Sequence, residues 1–419
     1  ANYYNTDYII RRYAMLKTLV NQSQRWDNIV YQHATMQAVK TALQQLRPIL
    51  VIDVYAHLLF RLIFAPDNFI GRMVDNYPPI TKVISNHMRI GLTFLDAAIV
   101  MIFVIALTQH YLTTKGITNT SLPILTNFIA IYLLLVGKNQ IPTYNTTQYL
   151  LMSVTVLFSV TTYCWFQKKW VNPDTSPYAY RYLVWAVLII LMSWLLRQLI
   201  AIPHFQTTIS VLLSKTFFTT FWGLLAVSIL SPLLFVFGFA LPSELTDDQT
   251  TLNTVIANLD AVLSTGHKVL PYPENLYSTY GAFTLFGGIG NTLVISLLLL
   301  FATSRKHQKL GLITWFPSLF DDNTLLLAGV PLFLRPLMLV PMLLVSVISQ
   351  LIGYVAIATH FIQPVVYPTP MNIPNLLLPT IASTTPIRST LVTVAVFILS
   401  IVIYRPFVHR LTEGVSYEK

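Results

Sequence analysis

The chain has 419 residues, of which 54% are apolar and only 10% are charged, and its mean hydropathy is +0.62. Soluble domains carry roughly a quarter charged residues, so this composition excludes an ordinary soluble protein and predicts an all-α polytopic membrane protein. The net charge of +10 is best explained by cytoplasmic loops and contact with anionic membrane lipids, and we expect no nucleic-acid partner. The single Cys164 excludes an intrachain disulfide and provides no metal-ligand spacing, so the sequence predicts neither a metal nor a cofactor.

The first 45 residues are too polar for a cleavable signal peptide, and they carry several basic residues before the first apolar run. Apolar residues recur in this stretch at helical spacing. We therefore predict that 1–45 is a cytoplasmic amphipathic segment. The pattern fits two placements equally: a helix on the membrane surface, or a helix packed on a loop.

Apolar runs long enough to cross a bilayer recur along the rest of the chain. The predicted spans are 48–65, 89–112, 120–137, 148–167, 181–203, 216–241, 280–304, 334–361 and 388–405. Basic clusters mark cytoplasmic loops, so we place the N-terminus and the clusters near Lys168, Arg305 and Arg405 on the cytoplasmic side. Only three of these spans lie between Lys168 and Arg305, and an odd number cannot return the chain to the same side. We therefore predict one additional, weaker crossing, for which 250–272 is the best position. The consistent topology has about ten transmembrane helices, one or two re-entrant hairpins and both termini in the cytoplasm.

A polar break interrupts the apolar segment that follows the basic cluster Arg305–Lys309. Four polar residues, Asp321, Asp322, Asn323 and Thr324, occupy its middle, and prolines flank them. Placing such residues in hydrocarbon has a high free-energy cost unless they face a protein cavity or a water-filled path. The flanking prolines break helices. We predict a re-entrant hairpin near 311–336, made of two half-helices around a polar tip. A second proline-rich stretch, 361–379, is predicted to be a loop that dips toward the solute cavity or caps it.

Several motifs in this half of the chain resemble enzyme IIC, the membrane permease subunit of the sugar phosphotransferase system, in its lactose/cellobiose/chitobiose family. They are GG-x-G-x-T at 287–292, WFPSLF at 315–320, GVPLFLRP at 329–336 and PMLL at 341–344. Looser similarity occurs at 37–52, 170–191 and 235–242, so that the match covers about 30–410.

The resemblance implies a homodimeric permease of the bacterial cytoplasmic (inner) membrane. Each protomer would pair a scaffold and dimerisation half, 46–204, with a transport half, 205–419, that holds the solute site. It would carry a carbohydrate inward, with IIA and IIB proteins as phosphotransferase partners. This chain itself would catalyse nothing, because phosphorylation would be carried out by IIB.

Two departures from the family pattern argue against phosphotransfer. Where the family carries a glutamate at the hairpin tip, this chain has Thr324, and where the family carries a histidine it has Ala240. At neutral pH a threonine can hydrogen-bond a sugar hydroxyl but cannot accept its proton, and an alanine can do neither. Asp321 and Asp322 offer substitute carboxylates, although two or three positions away from Thr324.

The predicted substrate-binding residues lie in the hairpin and in the glycine motif before it. They are Asn323, Thr324, Asp321, Asp322, Gly288 and Asn291. A second polar feature is a buried charge network in the first span, where Asp53, His57 and Arg61 share one helix face. Asp96 of the second span and Arg197 of the fifth are expected either to pair with each other or to join this network. Such a network either relays protons or holds helices together. Arg335 is expected to join this set by pairing with Asp321 or Asp322.

Two functions remain open from the sequence. One is a sugar permease with weak or absent coupling to phosphorylation. The other is a sugar-sensing membrane input domain that signals to a cytoplasmic partner or to an output domain. Loss of the glutamate and the histidine favours the second, whereas the preserved hairpin pattern predicts a solute site in both.

Overall fold

The computed structural model describes residues 2–66, 68–74, 82–117, 120–135, 149–170, 178–200, 211–237, 245–246, 249–265, 270–330, 332, 335–369 and 373–413. Over these ranges the chain forms helices and turns, with no strand, which confirms the predicted all-α membrane protein.

The helices of the first half begin with a long pair separated by a single residue. They are α1 (Asn2–Gln32), α2 (Ala34–Leu59), α3 (Phe69–Met73), α4 (Lys82–Thr114), α5 (Ser121–Leu135), α6 (Tyr149–Trp170) and α7 (Tyr178–Ile200). A π-helical turn, Phe60–Phe64, extends α2.

The second half contains shorter and more broken helices. They are α8 (Phe221–Val236), α9 (Asn253–Thr265), α10 (Ala282–Thr284), α11 (Leu293–Leu300), α12 (Arg305–Leu319), α13 (Thr324–Gly329), α14 (Pro336–Ala358), α15 (Leu378–Ile381) and α16 (Pro386–Glu413). A π-helical turn, Leu276–Gly281, leads directly into α10.

Six predicted spans correspond to observed helices, and most of their ends agree within a few residues. The helices are α4, α5, α6, α7, α14 and α16. Among the described residues, four stretches are long and apolar enough to cross a membrane: Ala34–Gly71, Lys82–Thr114, Pro336–Ala358 and Pro386–Thr412. Shorter apolar helices add Ser121–Leu135, Leu151–Gln167, Tyr182–Gln198 and Phe221–Val236. The total of about ten crossings stays a prediction.

One predicted span is wrong. The stretch 280–304 is not one helix, because α10 ends at Thr284 and α11 begins only at Leu293. In the weaker crossing expected at 250–272, the described residues form α9, whose 13 residues extend over about 20 Å, and residues 266–269 lie outside the described part of the chain. This crossing stays a prediction. The basic cluster Arg305–Lys309 is also helical, since it forms the start of α12.

The N-terminal segment is helical, as predicted, but it packs on helices of the second half. Val20 of α1 is buried in a core formed mainly by α11, α14 and α16. The division at residue 45 falls inside α2, which is continuous from Ala34 to Leu59.

The buried apolar residues form one core in the first half of the chain and two in the second half. The first core joins α2, α4, α5, α6 and α7, and it also takes in Leu325 and Ala328 of α13. The other two cores consist of residues from 213 onward, apart from Val20. The short helix α13 therefore contributes apolar surface to the core of the first half. The division into scaffold and transport halves at 204/205 stays a prediction.

Candidate functional site

A glycine turn, defined as Leu285–Thr292, separates α10 from α11. Gly287, Gly288 and Gly290 have φ angles of 75°, 105° and 72°, a region that residues with a Cβ rarely adopt. Backbone bonds from Gly290 N–H to the Thr284 carbonyl, 3.0 Å, and from Leu293 N–H to the Phe286 carbonyl, 3.1 Å, close the turn. The glycines therefore allow a sharp break within a continuous apolar run.

Asn291 holds the glycine turn from inside. Its side chain is fully buried, accepts a 3.0 Å bond from the Phe286 N–H, and donates to the Phe283 carbonyl and to the hydroxyls of Ser349 and Ser400. These bonds use both the oxygen and the nitrogen of the amide, so Asn291 supports the turn. It is therefore not one of the proposed ligand-binding residues.

The polar tip, defined as Phe320–Asn323, joins α12 to α13. The end of α13 returns alongside α12, since a Cβ on Gly329 would lie 2.4 Å from Leu310 Cδ1. The predicted pair of half-helices around a polar tip is thus confirmed, although the first half-helix begins at Arg305 instead of 311. Asp322 supports the start of α13, because its Oδ1 accepts a 3.0 Å bond from the Thr324 N–H.

Helices α11 and α12 run antiparallel in close contact and bring the glycine turn to the polar tip. A Cβ on Gly311 would lie 2.5 Å from the Leu300 backbone nitrogen, so only glycine permits this approach. Farther along the pair, the hydroxyls of Ser296 and Ser318 are 2.9 Å apart.

Asp321 connects the polar tip to two other segments. Its Oδ1 accepts a 2.8 Å hydrogen bond from the Gly287 N–H, and its Oδ2 accepts a 2.8 Å bond from the Asn375 N–H. The Asn375 amide also reaches the Leu285 carbonyl at 3.4 Å. The second proline-rich stretch therefore lies, at Asn375, against both the glycine turn and the polar tip. That this junction is a solute cavity stays a prediction.

The polar groups that remain at this junction belong to Asn323 and Thr324. Both residues are partly exposed, and within the described part of the chain neither the Asn323 amide nor the Thr324 hydroxyl has a hydrogen-bond partner. Gly288 lies directly beside them, because a Cβ there would be 2.5 Å from Asn323 Nδ2. Asn323, Thr324 and Gly288 thus share one partly exposed surface, with Asp322 next to it.

Helix α2 supports the hairpin through two side chains. Pro317 lacks an N–H, so the Ile313 carbonyl does not receive the usual helical hydrogen bond from position 317. The Tyr55 hydroxyl donates a 3.0 Å bond to this carbonyl instead.

The second side chain, Arg47, lies at the end of α13 and donates to the carbonyls of Ala328 and Gly329, the latter at 2.8 Å. A cation at a helix C-terminus satisfies free carbonyls and complements the helix dipole.

Arg335 does not pair with Asp321 or Asp322, so that expectation is wrong. Its guanidinium forms a 3.2 Å ion pair with Asp27 of α1 and lies 5.4 Å from the centre of the Tyr31 ring. Asp321 is occupied by two backbone N–H groups, which explains why it is not available to Arg335. Burial at this contact raises the pKa of the Tyr31 hydroxyl to about 12.

The charge network of the first span is centred on His57. Its Nε2 lies 3.1 Å from Asp96 Oδ1 of α4 and 3.7 Å from Asp53 Oδ1, one turn earlier in α2. Asp96 is therefore a member, as expected. Arg61 belongs to the π-helical turn and lies within electrostatic range of His57, but it forms no ion pair with described residues. Arg335 belongs to the separate contact with Asp27.

Sequence reasoning missed Asn375, Tyr55 and Arg47 as parts of the site, since their contacts link distant segments. It interpreted Gly287, with Gly288 and Gly290, as allowing either a close helix approach or a break at the cavity wall. Only the Pro317 position, four residues after Ile313, gave a signal that an external donor was needed. Ala240, where the family carries histidine, lies outside the described residues.

Comparison with known proteins gives several partial matches, while no protein-family model matches the chain. The PTS system cellobiose-specific EIIC component of Lactococcus lactis subsp. lactis (strain IL1403) is 28% identical over 213 residues, or 48% of this chain and 43% of that protein. The PTS system oligo-beta-mannoside-specific EIIC component of Bacillus subtilis (strain 168) is 28% identical over 89 residues, or 21% of this chain and 20% of that protein.

Among solved structures, the transporter ChbC, the IIC component from the N,N'-diacetylchitobiose-specific phosphotransferase system, aligns over 94% of this chain and 97% of that chain, at 17% identity and a TM-score of 0.41. The matches to curated proteins confirm the resemblance to enzyme IIC that the motifs indicated. These alignments span less than half the length of either curated relative.

Proposed function

We propose that this chain, a relative of the EIIC components of sugar phosphotransferase systems, is a membrane permease that binds an oligosaccharide at the junction of the glycine turn and the polar tip. The observation that carries the proposal is a pair of polar groups there, the Asn323 amide and the Thr324 hydroxyl, that have no hydrogen-bond partner among the described residues and lie on a surface held in place by Asp321. Polar groups without partners inside an apolar chain are typical of a solute site.

The chemistry of the junction suits a neutral polyol. An amide donates two hydrogen bonds and accepts others, and a hydroxyl donates one and accepts others, so Asn323 and Thr324 complement sugar hydroxyls. Asp322 adds a carboxylate acceptor beside them. Gly288 lets the Asn323 amide lie close to its backbone, since no side chain projects from it.

We further propose that sugar binding is not coupled to phosphotransfer. A coupled site needs a group that can accept the proton of the hydroxyl to be phosphorylated. Thr324 cannot do so at neutral pH, and Asp321, one of the two substitute carboxylates, has both oxygens engaged by backbone N–H groups. Asp322 is the remaining candidate, and its Oδ1 supports the start of α13.

The binding site is tested by alanine substitution. A thermal-shift screen of mono- and disaccharides on detergent-purified protein first identifies a ligand, whose affinity is then measured by calorimetry. We expect Asn323→Ala and Thr324→Ala each to weaken binding at least about tenfold, the loss of one to two hydrogen bonds in a desolvated site. Asn86→Ala and Thr113→Ala, at exposed positions of α4, are matched controls and should bind normally. Unchanged affinity in both tip variants would exclude this site.

The absence of coupling is tested in membranes supplied with phosphorylated IIB and the identified sugar. We expect no sugar phosphate from the natural chain. Production of sugar phosphate that disappears in Asp322→Asn would show that Asp322 replaces the family glutamate.

A sugar-sensing input domain is the second candidate, favoured by Thr324 and Ala240 at the two family positions. Transport and sensing are distinguished by sugar uptake: proteoliposomes that contain a permease accumulate labelled sugar, whereas a sensor binds the sugar without uptake.

The same proposal includes a homodimer, IIA and IIB partners, and a bacterial inner-membrane location with both termini in the cytoplasm. Crosslinking tests the dimer and the partners, and cysteine-accessibility labelling tests the location of the termini.

A further inference from the structure

Three ionisable side chains from α2 and α4 converge at one point inside the first core. Asp53 Oδ1 and His57 Nε2 are 3.7 Å apart, and Asp96 Oδ1 is 3.1 Å from the same nitrogen. All three atoms lie within 4.8 Å of one another. His57 Nε2 and Asp96 Oδ1 are within hydrogen-bond distance, and the three atoms are close enough together for one ion to contact all of them.

The Asp53 carboxylate carries a second, independent sign of an absent ligand. Asp53 is only 5% exposed, and its Oδ1, which faces the cluster 3.7 Å from His57 Nε2, accepts no hydrogen bond from the described residues. A buried carboxylate oxygen without a hydrogen-bond partner carries a desolvation penalty, so such groups are normally hydrogen-bonded or bound to a metal.

The charge of the cluster also favours a divalent cation. Two carboxylates contribute two negative charges, which a protonated His57 neutralises only by half and a divalent ion neutralises fully. Arg61 lies within electrostatic range of His57 but bonds to none of the three side chains in the described part of the structure. Asp322 of the polar tip also acts electrostatically on Asp53, and it adds negative charge.

The spacing agrees with a tetrahedral zinc-type site. Zinc bonds to imidazole nitrogen and carboxylate oxygen of about 2.0–2.2 Å place neighbouring tetrahedral ligands about 3.3 Å apart. The observed separations of 3.1 and 3.7 Å lie on either side of this value. Magnesium and calcium prefer all-oxygen sites, whereas an imidazole with two carboxylates suits zinc and the neighbouring transition metals.

We propose that Asp53, His57 and Asp96 bind one divalent transition-metal ion of the zinc class, which fastens α2 to α4. Helix α2 also carries Tyr55 and Arg47, which support the hairpin, so the ion stabilises the helix on which the solute site rests. The site does not depend on the proposed function, because it is measured without sugar.

The test uses the full chain purified in detergent through a tag without histidines. The protein is treated with EDTA, freed of the chelator, and titrated with ZnCl₂ by calorimetry, with the bound metal counted by mass spectrometry. We expect one equivalent of tightly bound zinc, and visible absorption typical of tetrahedral coordination when CoCl₂ is used instead. Millimolar MgCl₂ should not compete.

Variants locate the ion. Asp53→Asn, His57→Gln and Asp96→Asn should each weaken zinc binding at least roughly 100-fold, since even outer-shell changes at metal sites cost 10–100-fold. His110→Gln is the matched control, because His110 is a partly exposed histidine of α4 that contacts Gln45. Zinc should raise the melting temperature of the natural chain and of His110→Gln, but not of the three variants.

Three results would each overturn the proposal. They are a natural chain that binds no stoichiometric zinc, a zinc affinity in Asp53→Asn and Asp96→Asn equal to that of the natural chain, and displacement of zinc by MgCl₂. If a variant fails to fold, the cobalt spectrum of the natural chain still decides whether the site exists.

Discussion

The Asp321 carboxylate accepts a 2.8 Å hydrogen bond from the backbone N–H of Gly287, so the polar tip is tied to the glycine turn although the two are separated by two helices. The other oxygen of the same carboxylate accepts from Asn375. One side chain therefore holds three segments together at the proposed solute site, and its removal is the most direct perturbation of the junction.

Asp321→Asn should lower the free energy of unfolding by about 2–4 kcal/mol, since a bond to a charged group contributes about 1.5–3 kcal/mol and the amide places an NH₂ against one of the two N–H donors. Asparagine tolerates the φ of 63° at this position, so the substitution isolates the carboxylate. The melting temperature in detergent and sugar affinity should both fall. Asp260→Asn, at an exposed position of α9, is the control. Equal melting curves for the two variants would mean that Asp321 does not hold the junction.

Gly288→Ala should reduce sugar binding at least about tenfold. The φ of 105° is unfavourable for alanine, and the new Cβ would lie 2.5 Å from Asn323 Nδ2, so the polar tip must shift. Gly91→Ala in α4 is the matched control: its Cβ meets nothing within 4 Å, and alanine should stabilise that helix by about 0.5–1 kcal/mol. Calorimetry and melting curves of the two variants test this, and normal binding by Gly288→Ala would contradict the close contact of turn and tip.

Tyr55→Phe should destabilise the chain by about 1–2 kcal/mol, because the Ile313 carbonyl loses the donor that stands in for the missing Pro317 N–H. Pro317→Ala would supply an N–H within α12 that can bond this carbonyl. In the Pro317→Ala background, Tyr55→Phe should therefore cost clearly less. A double-mutant cycle on melting curves measures the coupling, and strictly additive effects would show that the tyrosine does not substitute for the missing helix bond.

Asp27→Asn should destabilise the packing of α1 on the second half by on the order of 3 kcal/mol. The Arg335 guanidinium would lose its partner while remaining mostly buried. Asp27→Asn/Arg335→Gln should lose less than the sum of the single variants. Arg25→Gln, at an exposed position of the same helix, is the control. Limited proteolysis near the N-terminus reports whether α1 separates, and no increase in cleavage for Asp27→Asn would contradict a role of this ion pair in docking α1.

The hairpin was predictable because its signals are local. Pro317 and the polar run 321–324 break an apolar segment in a way that any packing must respect. At the glycine turn the sequence left two alternatives open, a close helix approach or a break, and a continuous span was predicted over 280–304. The residues there are apolar or small, so hydropathy continues even though three positive φ angles break the helix. The Gly-Gly-x-Gly pattern was the only local signal for the break.

The sequence by itself determined the membrane class, the helical fold, most helix positions and the polar tip, because hydropathy, helical period and proline act over a few neighbouring residues. Only the tertiary structure decided which polar groups remain free at the site. Asp321 is occupied by Gly287 and Asn375, and Arg335 pairs with Asp27, 308 positions away. Hydrogen bonds and ion pairs form wherever packing brings partners within about 3 Å, and the separation along the chain does not predict that distance.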